Sequence, residues 1–363
     1  RARLARRHRQ RHRRIDPRAR RPSPSRMSLL QAPEPVPCRP FLVPTEGPLA
    51  ESPQAIVEMM GWSFLFSLRD RFHFRALWSH KFFSKRDAFA VPLNFQEELF
   101  ASKERLRIGY FLSDGYIDPL PCMGRAVAEA ADALKTRGHE LVPFRMGSIP
   151  RKIYLGVAAT VFADGGAAVS EDMKEEELTP MQDAIRQFGK KSWWEKKLLV
   201  LQLRWRGEEG LAELLEAMPR TAMDVQRGID RIYGCRKRLF IAMKEQGIDA
   251  LLCPPTYSPA TTHEFPFDPI LSVLWNGIQN TMWNALDVPA GVVPFGQVSA
   301  VDEDLLKNYH PKGMLERALK DDCKDSLGLP LAVQFVAPPF RDEIVLRLMC
   351  ELEGTKNDID RSV

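Results

Sequence analysis

The sequence predicts an α/β fold in which a sheet is covered by helices. Residues 106–111 (LRIGYF) and 139–144 (HELVPF) are short apolar runs of strand length. Between them, apolar residues recur at helical spacing from Met123 to Leu134, and Gly138 follows as a helix stop. Strand, helix and strand in this order form a βαβ unit, whose strands are parallel. The 363 residues, 44% of them hydrophobic, can fill the core of one large domain or two modest ones.

Further elements follow along the chain. Before the βαβ unit, the sequence predicts a proline-rich extended loop over residues 31–54 and an apolar helix over 55–68. After it come a long helical region over 180–246 ended by Gly247, a buried strand over 248–255, a helix ending near Leu286 and a strand over 290–295. A polar excursion over 296–326, a strand over 327–338 and a last amphipathic helix containing Val345, Leu348, Met349 and Leu352 complete the prediction. Residues 69–100 mix aromatic and charged residues without a clear period.

Residues 1–26 differ from the rest of the chain in charge. They contain twelve arginines and one acid, Asp16, so the net charge of +5 comes from this segment. Such a block is typical of a disordered tail and could bind the phosphates of nucleic acid or anionic lipid. It contains no aromatic platform and no fold motif, so nucleic acid is not expected as a partner. We interpret the segment as translated upstream sequence or the product of a truncated gene model, with a functional basic arm as the alternative.

The six cysteines and the hydropathy pattern limit the class of protein. No CxxC spacing occurs, which argues against a structural zinc site. We expect no other metal and no cofactor. The thiols are typical of a reduced, intracellular protein. There is no cleavable signal peptide and no run of about 18 apolar residues that would span a bilayer. Any membrane contact is therefore expected to be peripheral.

Six strings, in order and spacing, resemble the amidase signature family and, within it, the fatty acid amide hydrolase branch. They are GPLAES at 47–52, RIGYFLSDGYIDPLPCMGRAV at 107–127, RGHELVPF at 137–144, VFADGG at 161–166, LDVPAGVVPFG at 286–296 and SLGLPLAVQFVAPPFRDE at 326–343. We assign residues 105–353 to the C-terminal part of an amidase domain. Residues 27–104 form a proline-rich loop and helical linker with partial resemblance, and residues 354–363 a short tail.

The resemblance implies a mixed sheet flanked by helices, with the N-terminal half of the domain missing. It also implies a Ser-Ser-Lys triad acting on long-chain acyl amides, in which a neutral lysine activates the nucleophile through a bridging serine. In the family the triad precedes the GPLA segment, and this sequence contains no Ser-Ser pair. We therefore assign no catalytic residue and expect an inactive fragment, splice form or incomplete gene model. The alternative is an inactive lipid-binding pseudoenzyme.

Histidines and acids elsewhere in the sequence are the remaining candidates to replace the triad. His139 and His263 could act as bases on geometry alone, but a lone histidine near a strand is more often structural. The acids of residues 171–177 are most simply a solvated face. No set of residues assembles a catalytic site from the sequence.

The segment at residues 190–206 (KKSWWEKKLLVLQLRWR) is the candidate membrane contact. As a helix it aligns Trp194, Leu198, Leu201 and Trp205 in one stripe, with Trp193 beside it and lysines and arginines around it. Indoles and cations around leucines suit an interfacial helix, and internal packing is the alternative. The resemblance favours the membrane, because similar enzymes place a membrane-binding cap in this part of the chain.

The resemblance also suggests substrate-binding residues. Phe162, Met282, Trp283 and Phe295 lie where the family builds its acyl channel, and core packing is the alternative. The expected partners are a long-chain acyl amide or fatty acid and a membrane surface. A homodimer is one assembly that the resemblance implies.

Overall fold

A mixed sheet of seven strands forms the centre of the part of the chain that the structure describes. The computed structural model describes residues 25–28, 49–61, 93, 95–161, 163, 183, 187–188, 190–262, 265 and 281–362. The strands are β1 (Ser25–Ser28), β2 (Leu49–Ala50), β3 (Arg107–Tyr110), β4 (Glu140–Pro143), β5 (Ala250–Cys253), β6 (Ala290–Gln297) and β7 (Pro330–Val336). Their order across the sheet is β2-β1-β6-β7-β5-β3-β4. The predicted class, a mixed sheet flanked by helices, is confirmed.

Helices connect and cover the strands. They are α1 (Pro53–Gly61), α2 (Glu97–Ala101), α3 (Pro121–Thr136), α4 (Ile149–Val161), α5 (Trp193–Trp205), α6 (Glu209–Glu216), α7 (Ala222–Glu245), α8 (Thr281–Leu286), α9 (Ala300–Lys307), α10 (Met314–Asp322) and α11 (Asp342–Ser362). A 3-10 turn at Cys323–Asp325 follows α10.

The predicted βαβ unit is confirmed. Strand β3 pairs in parallel with β4, from Arg107 opposite Glu140 to Tyr110 opposite Pro143. It also pairs in parallel with β5 on its other side. Helix α3 makes the crossover, and its apolar face is fully buried. The carboxyl ends of β3 and β5 therefore meet at one edge of the sheet, where ligand sites of α/β proteins usually form.

The antiparallel half of the sheet includes residues from the predicted tail. Strand β6 pairs antiparallel with β7 on one side and with β1 on the other. Strand β1 contains Ser25 and Arg26, which the sequence assigned to the disordered segment 1–26. The sheet thus begins two residues inside that segment, because the backbone of β1 pairs with β6 whatever side chains it carries. Residues 1–24 lie outside the described part of the chain.

The long helical region predicted over residues 180–246 is helical in its described part, but two breaks divide residues 193–245 into α5, α6 and α7. Helix α5 ends before Gly207, whose φ of +79° is the left-handed conformation that glycine adopts freely. Helix α6 ends before Pro219, and Thr221 starts α7 with a capping box that Asp224 completes. Helical periodicity continues across both breaks, which is why the pattern alone predicted one region.

The predicted polar excursion over residues 296–326 contains two helices, α9 and α10. Ser299 and Asp302 form a capping box at the start of α9, and this spacing is visible in the sequence. Asp302 has a second role, since it is 3% exposed and accepts two hydrogen bonds from Arg125 of α3. The ion pair attaches α9 to α3. Because this attachment is polar, α9 has few apolar positions from which a helical period could be recognised in the sequence.

The buried side chains form one contiguous core. Ile108, Leu251 and Phe335, on three adjacent strands, have no exposed surface. The apolar face predicted for the last helix, now α11, is also inaccessible to solvent.

Candidate functional site

A small cavity, here called the inner cavity, lies where the chain leaves β3 and β5. Its volume is about 30 Å³, enough for one or two water molecules. It is lined by Phe111, Ser113, Asp114, Pro119, Tyr154, Cys253, Pro254, Pro255, Thr256, Tyr257, Met282, Trp283 and Gln334. Residues 111–119 follow β3 and residues 253–257 end and follow β5, so the parallel pairing brings the two segments together.

Three of the side chains that line the inner cavity form a hydrogen-bonded polar cluster. The hydroxyls of Tyr154 and Tyr257 lie 2.8 Å and 3.0 Å from Oδ2 of Asp114, and 2.9 Å from each other. The other carboxyl oxygen of Asp114 accepts hydrogen bonds from the backbone N–H groups of Tyr116 and Ile117, at 2.8 Å and 3.2 Å. The three residues, here called the Asp-Tyr-Tyr cluster, come from the β3 loop, from α4 and from the β5 loop.

Burial dominates the electrostatics of this cluster. It raises the pKa of Asp114, while the hydrogen bonds to that carboxyl act in the opposite direction. Burial also raises the pKa of Tyr154 and Tyr257 well above the ordinary value of a tyrosine. Both tyrosines therefore keep their protons and act as hydrogen-bond donors at neutral pH.

Apolar side chains form much of the remaining wall, and two of them were predicted as substrate contacts. Met282 and Trp283 of α8 line the cavity, and the indole N–H of Trp283 donates to Gln334 Oε1 at 3.0 Å. Phe295 is buried in β6 but does not line the inner cavity. Phe162 lies outside the described residues. The structure thus brings two of the four predicted residues together.

Sequence reasoning missed the Asp-Tyr-Tyr cluster. Asp114 was visible as an acid three residues after a predicted strand, and Tyr257 as a tyrosine two residues after another. Tyr154 had no comparable signal, because it lies inside an apolar helical stretch. Only the packing of α4 against this edge of the sheet places its hydroxyl beside Asp114.

His139 has a structural role. Its Nδ1 accepts the backbone N–H of Leu106 at 3.1 Å, so Nε2 carries the proton and donates to Glu351 at 2.5 Å. This agrees with the structural reading of that histidine. His263 and residues 171–177 lie outside the described residues. No group of three potential metal ligands occurs among the residues that the structure describes.

A larger depression, here called the outer groove, lies across the segment at residues 113–119 from the inner cavity. Its volume is about 510 Å³, and its walls are mainly apolar. It is lined by Leu112, Ser113, Asp118, Pro119, Leu120, Pro121, Gly124, Arg125, Ala128, Leu305 and Tyr309. This volume is in the range of small-molecule sites, whereas the inner cavity is far below it.

Helix α5 exposes the stripe that its spacing predicted. Trp194, Leu198, Leu201 and Trp205 are 71%, 58%, 55% and 88% exposed. Val200 and Leu203 face the interior instead. The alternative of internal packing is therefore not what the structure shows for these four side chains.

Two cationic side chains lie against the tryptophan at the start of α5. Trp193 is 37% exposed, with Lys197 and Arg220 at 5.0 Å and 4.6 Å from its ring centroid. Lys197 lies 5.9 Å from the ring of Trp194 as well. Within the described residues no helix is both long and apolar enough to cross a bilayer.

Comparisons with known proteins agree with one another. The family model described as Amidase matches residues 71–346. Fatty acid amide hydrolase 1 of Caenorhabditis elegans is 30% identical over 325 residues, covering 88% of this chain and 52% of that protein. Fatty-acid amide hydrolase 1 of Sus scrofa is 31% identical over 271 residues, covering 74% and 46%. The chain thus spans about half the length of these curated relatives.

Two solved structures share the fold. A fatty acid amide hydrolase matches with a TM-score of 0.61 at 15% identity, over 92% of this chain and 52% of the other. A 6-aminohexanoate cyclic dimer hydrolase matches with a TM-score of 0.51 at 15% identity, over 92% and 60%. These likenesses support the architecture and not a particular substrate.

Proposed function

The chain belongs to the amidase family, and from this premise we propose that it forms the acyl-binding and membrane-facing part of a hydrolase of long-chain acyl amides. The names of its relatives, the fatty acid amide hydrolases, support this substrate class. In such a reaction a serine attacks the amide carbonyl, the amine leaves, and water releases the acyl group from the serine.

The exposed stripe of α5 carries the proposal. Exposed apolar residues are normal when scattered singly, but four in one row, two of them tryptophans, form a patch that suits a lipid surface. Indole rings prefer the depth of lipid headgroups, and leucines between them would enter the acyl boundary. Lys197 and Arg220 would lie at headgroup level, where anionic lipids attract them. A peripheral site of this kind gives access to substrates dissolved in the bilayer.

Vesicle binding tests the membrane role. We expect the purified chain to float with vesicles of mixed neutral and anionic phospholipid, and binding to weaken at high salt. Replacing Trp194 and Trp205 together with alanine should weaken binding at least about tenfold, because both indoles leave the interface. Val301→Ala is the matched control, since this residue of α9 is 61% exposed and lies outside the stripe. Equal binding of the double variant and the control would contradict the membrane role.

The acyl contacts belong to the same proposal. We propose that Phe162, Met282, Trp283 and Phe295 contact the acyl chain, as the resemblance implies. The inner cavity is too small for a long chain, so these contacts require space beyond it. The outer groove has enough volume for part of an acyl chain and shares Ser113 and Pro119 with the inner cavity.

We further propose that the chain by itself does not hydrolyse amides. A nucleophile of the family type is absent from the sequence, which has no Ser-Ser pair. Incubation with oleamide, followed by measurement of released ammonia and oleate, should therefore give no turnover above buffer. Turnover that persists in independently purified preparations would contradict this.

The second candidate function is lipid binding without chemistry, and the exposed stripe favours it equally. It predicts saturable binding of a fluorescent fatty acid by a cooperatively folded chain. Absence of such binding in a sample that unfolds cooperatively would eliminate it.

A further inference from the structure

The Asp-Tyr-Tyr cluster contains more short oxygen–oxygen contacts than its two tyrosine hydroxyl protons can turn into hydrogen bonds. Three oxygens lie within 3.0 Å of one another, so there are three contacts. Each tyrosine has one hydroxyl proton, and two protons can fill at most two contacts. The third contact is favourable only if Asp114 carries a proton or if a positively charged donor binds against the cluster.

The protein itself supplies no such donor among the residues described as lining the inner cavity, which include no lysine, arginine or histidine. Two other buried acids of this chain each have an arginine as partner. Asp302 is paired with Arg125, and Glu208 with Arg317. A buried carboxylate without a positive partner is unfavourable, so Asp114 either stays neutral or receives its partner from outside the protein.

The walls and the size of the inner cavity indicate which partner fits. Phe111, Tyr154, Tyr257 and Trp283 contribute aromatic rings, and such rings attract cations through their electron-rich faces. The volume of about 30 Å³ admits a group the size of a water molecule and excludes a bulky one. Ammonium has this size, a positive charge, and N–H groups that can donate to several oxygens at once.

We propose that the inner cavity binds one primary ammonium group, either ammonium itself or the head of a small primary amine, with Asp114 as its counter-ion. The N–H groups donate to Oδ2 of Asp114 and to the tyrosine oxygens. In the empty cavity a proton on Asp114 fills the third contact. When ammonium binds, that proton passes to solvent, both tyrosine hydroxyls donate to Asp114, and an N–H group of the ammonium bridges the two tyrosine oxygens, which lie 2.9 Å apart. The assignment rests on the proposed function in one respect: hydrolysis of a primary or N-alkyl amide releases ammonia or a primary amine.

Isothermal titration calorimetry on the full chain, without lipid, tests the proposal. The probes are ammonium chloride, methylammonium chloride and ethanolammonium chloride, with tetramethylammonium chloride at equal ionic strength as the comparison. We expect one saturable site for ammonium, and a larger primary amine binds too if the cavity mouth admits its carbon chain. Tetramethylammonium, which has no N–H and is too large, should bind at least about tenfold more weakly. No saturable ammonium binding, or equal binding of tetramethylammonium, would overturn the proposal.

Variants locate the site. Asp114→Asn should lower the affinity for ammonium at least about tenfold, because the counter-ion is lost. Asp132→Asn is the matched control, since this carboxyl is 74% exposed on α3 and pairs with Lys135, and the ammonium affinity of this variant should stay unchanged. Unchanged affinity in Asp114→Asn would overturn the assignment.

A second variant covers the case in which Asp114→Asn does not fold, as judged by circular dichroism. Tyr154→Phe removes one acceptor oxygen and keeps the ring, so ammonium affinity should fall several-fold in a folded protein. Equal affinity of folded Tyr154→Phe and the parent would overturn the proposal. Absence of ammonium binding would not change the results of the vesicle-binding and oleamide tests. A failure of this inference can therefore be distinguished from a failure of the proposed function.

Discussion

Two buried carboxyls, Asp114 and Asp342, show how a single residue can set a property of this protein. Both lack a cationic partner in the ion pairs of the described residues, and burial raises the pKa of each. Asp114 lies in the wall of a cavity and accepts hydroxyl and backbone donors. Asp342 starts α11 beside Glu343, whose negative charge raises its pKa further, to about 7. A cationic ligand in the cavity can therefore neutralise the charge of Asp114, whereas only a proton can neutralise Asp342.

We expect Asp342 to make stability depend on pH. Its carboxyl has an ordinary pKa of 3.8 and a folded pKa of about 7, so the folded state holds the proton more tightly than the unfolded state. The free energy of unfolding should therefore fall as pH rises from 4 to 7, by at most about 4 kcal/mol, and then level off. Asp342→Asn should flatten this part of the profile in urea unfolding.

The exposed Asp325 provides the control for this measurement. Asp325→Asn should retain the decline in stability between pH 4 and 7. If Asp342→Asn showed the same slope as Asp325→Asn, the decline would have another origin.

At the scale of elements, close packing and helix ends decide the structure around the site. Helices α4 and α7 cross at a pair of glycines, Gly156 and Gly228, where the backbones approach each other. This crossing holds α4, and with it Tyr154, against the sheet edge. Helix α5 ends at Gly207, which separates its exposed stripe from the buried face of α6.

A methyl group at the helix crossing should destabilise the protein. A Cβ at Gly228 would lie 2.7 Å from the Cβ of Ala159 and 3.2 Å from the carbonyl oxygen of Gly156. Two helix backbones cannot easily move apart, so Gly228→Ala should cost about 1–3 kcal/mol. Gly234 is on the same helix with nothing within 4 Å, and Gly234→Ala should stabilise by up to about 1 kcal/mol. Urea midpoints measure both, and equal shifts in the same direction would contradict the close crossing.

At the scale of the whole molecule, the mixed sheet joins distant parts of the chain. Strand β1 lies at the start of the described chain and pairs with β6, more than 260 residues later. It separates β6 from the short strand β2 at the edge. The parallel strands β3, β4 and β5 form the opposite side of the sheet, and the inner cavity lies at their carboxyl ends. The inner cavity therefore depends on one continuous sheet.

Truncation tests the place of β1. Deleting residues 1–24 should leave the sheet intact, and the chain should elute as before from a gel-filtration column. Deleting residues 1–48 removes β1 and leaves β6 as an unpaired edge, so we expect aggregation at high protein concentration. If both truncated chains eluted alike and melted at the same temperature, β1 would not contribute to the sheet.

The spacing of residues in the sequence determined the α/β class, the βαβ unit, the buried face of the last helix and the stripe on α5, and the family resemblance implied that the sheet is mixed. These features depend on local spacing, and hydrophobic period is a local property of the chain. The helix breaks at Gly207 and Pro219 and the capping box at Ser299 were also readable, although the longer period obscured them. Only the tertiary structure decided that Asp114, Tyr154 and Tyr257 share one cluster. Their hydroxyl and carboxyl groups meet because parallel strand pairing and a glycine helix crossing bring together residues up to 143 positions apart, a distance that no local pattern spans.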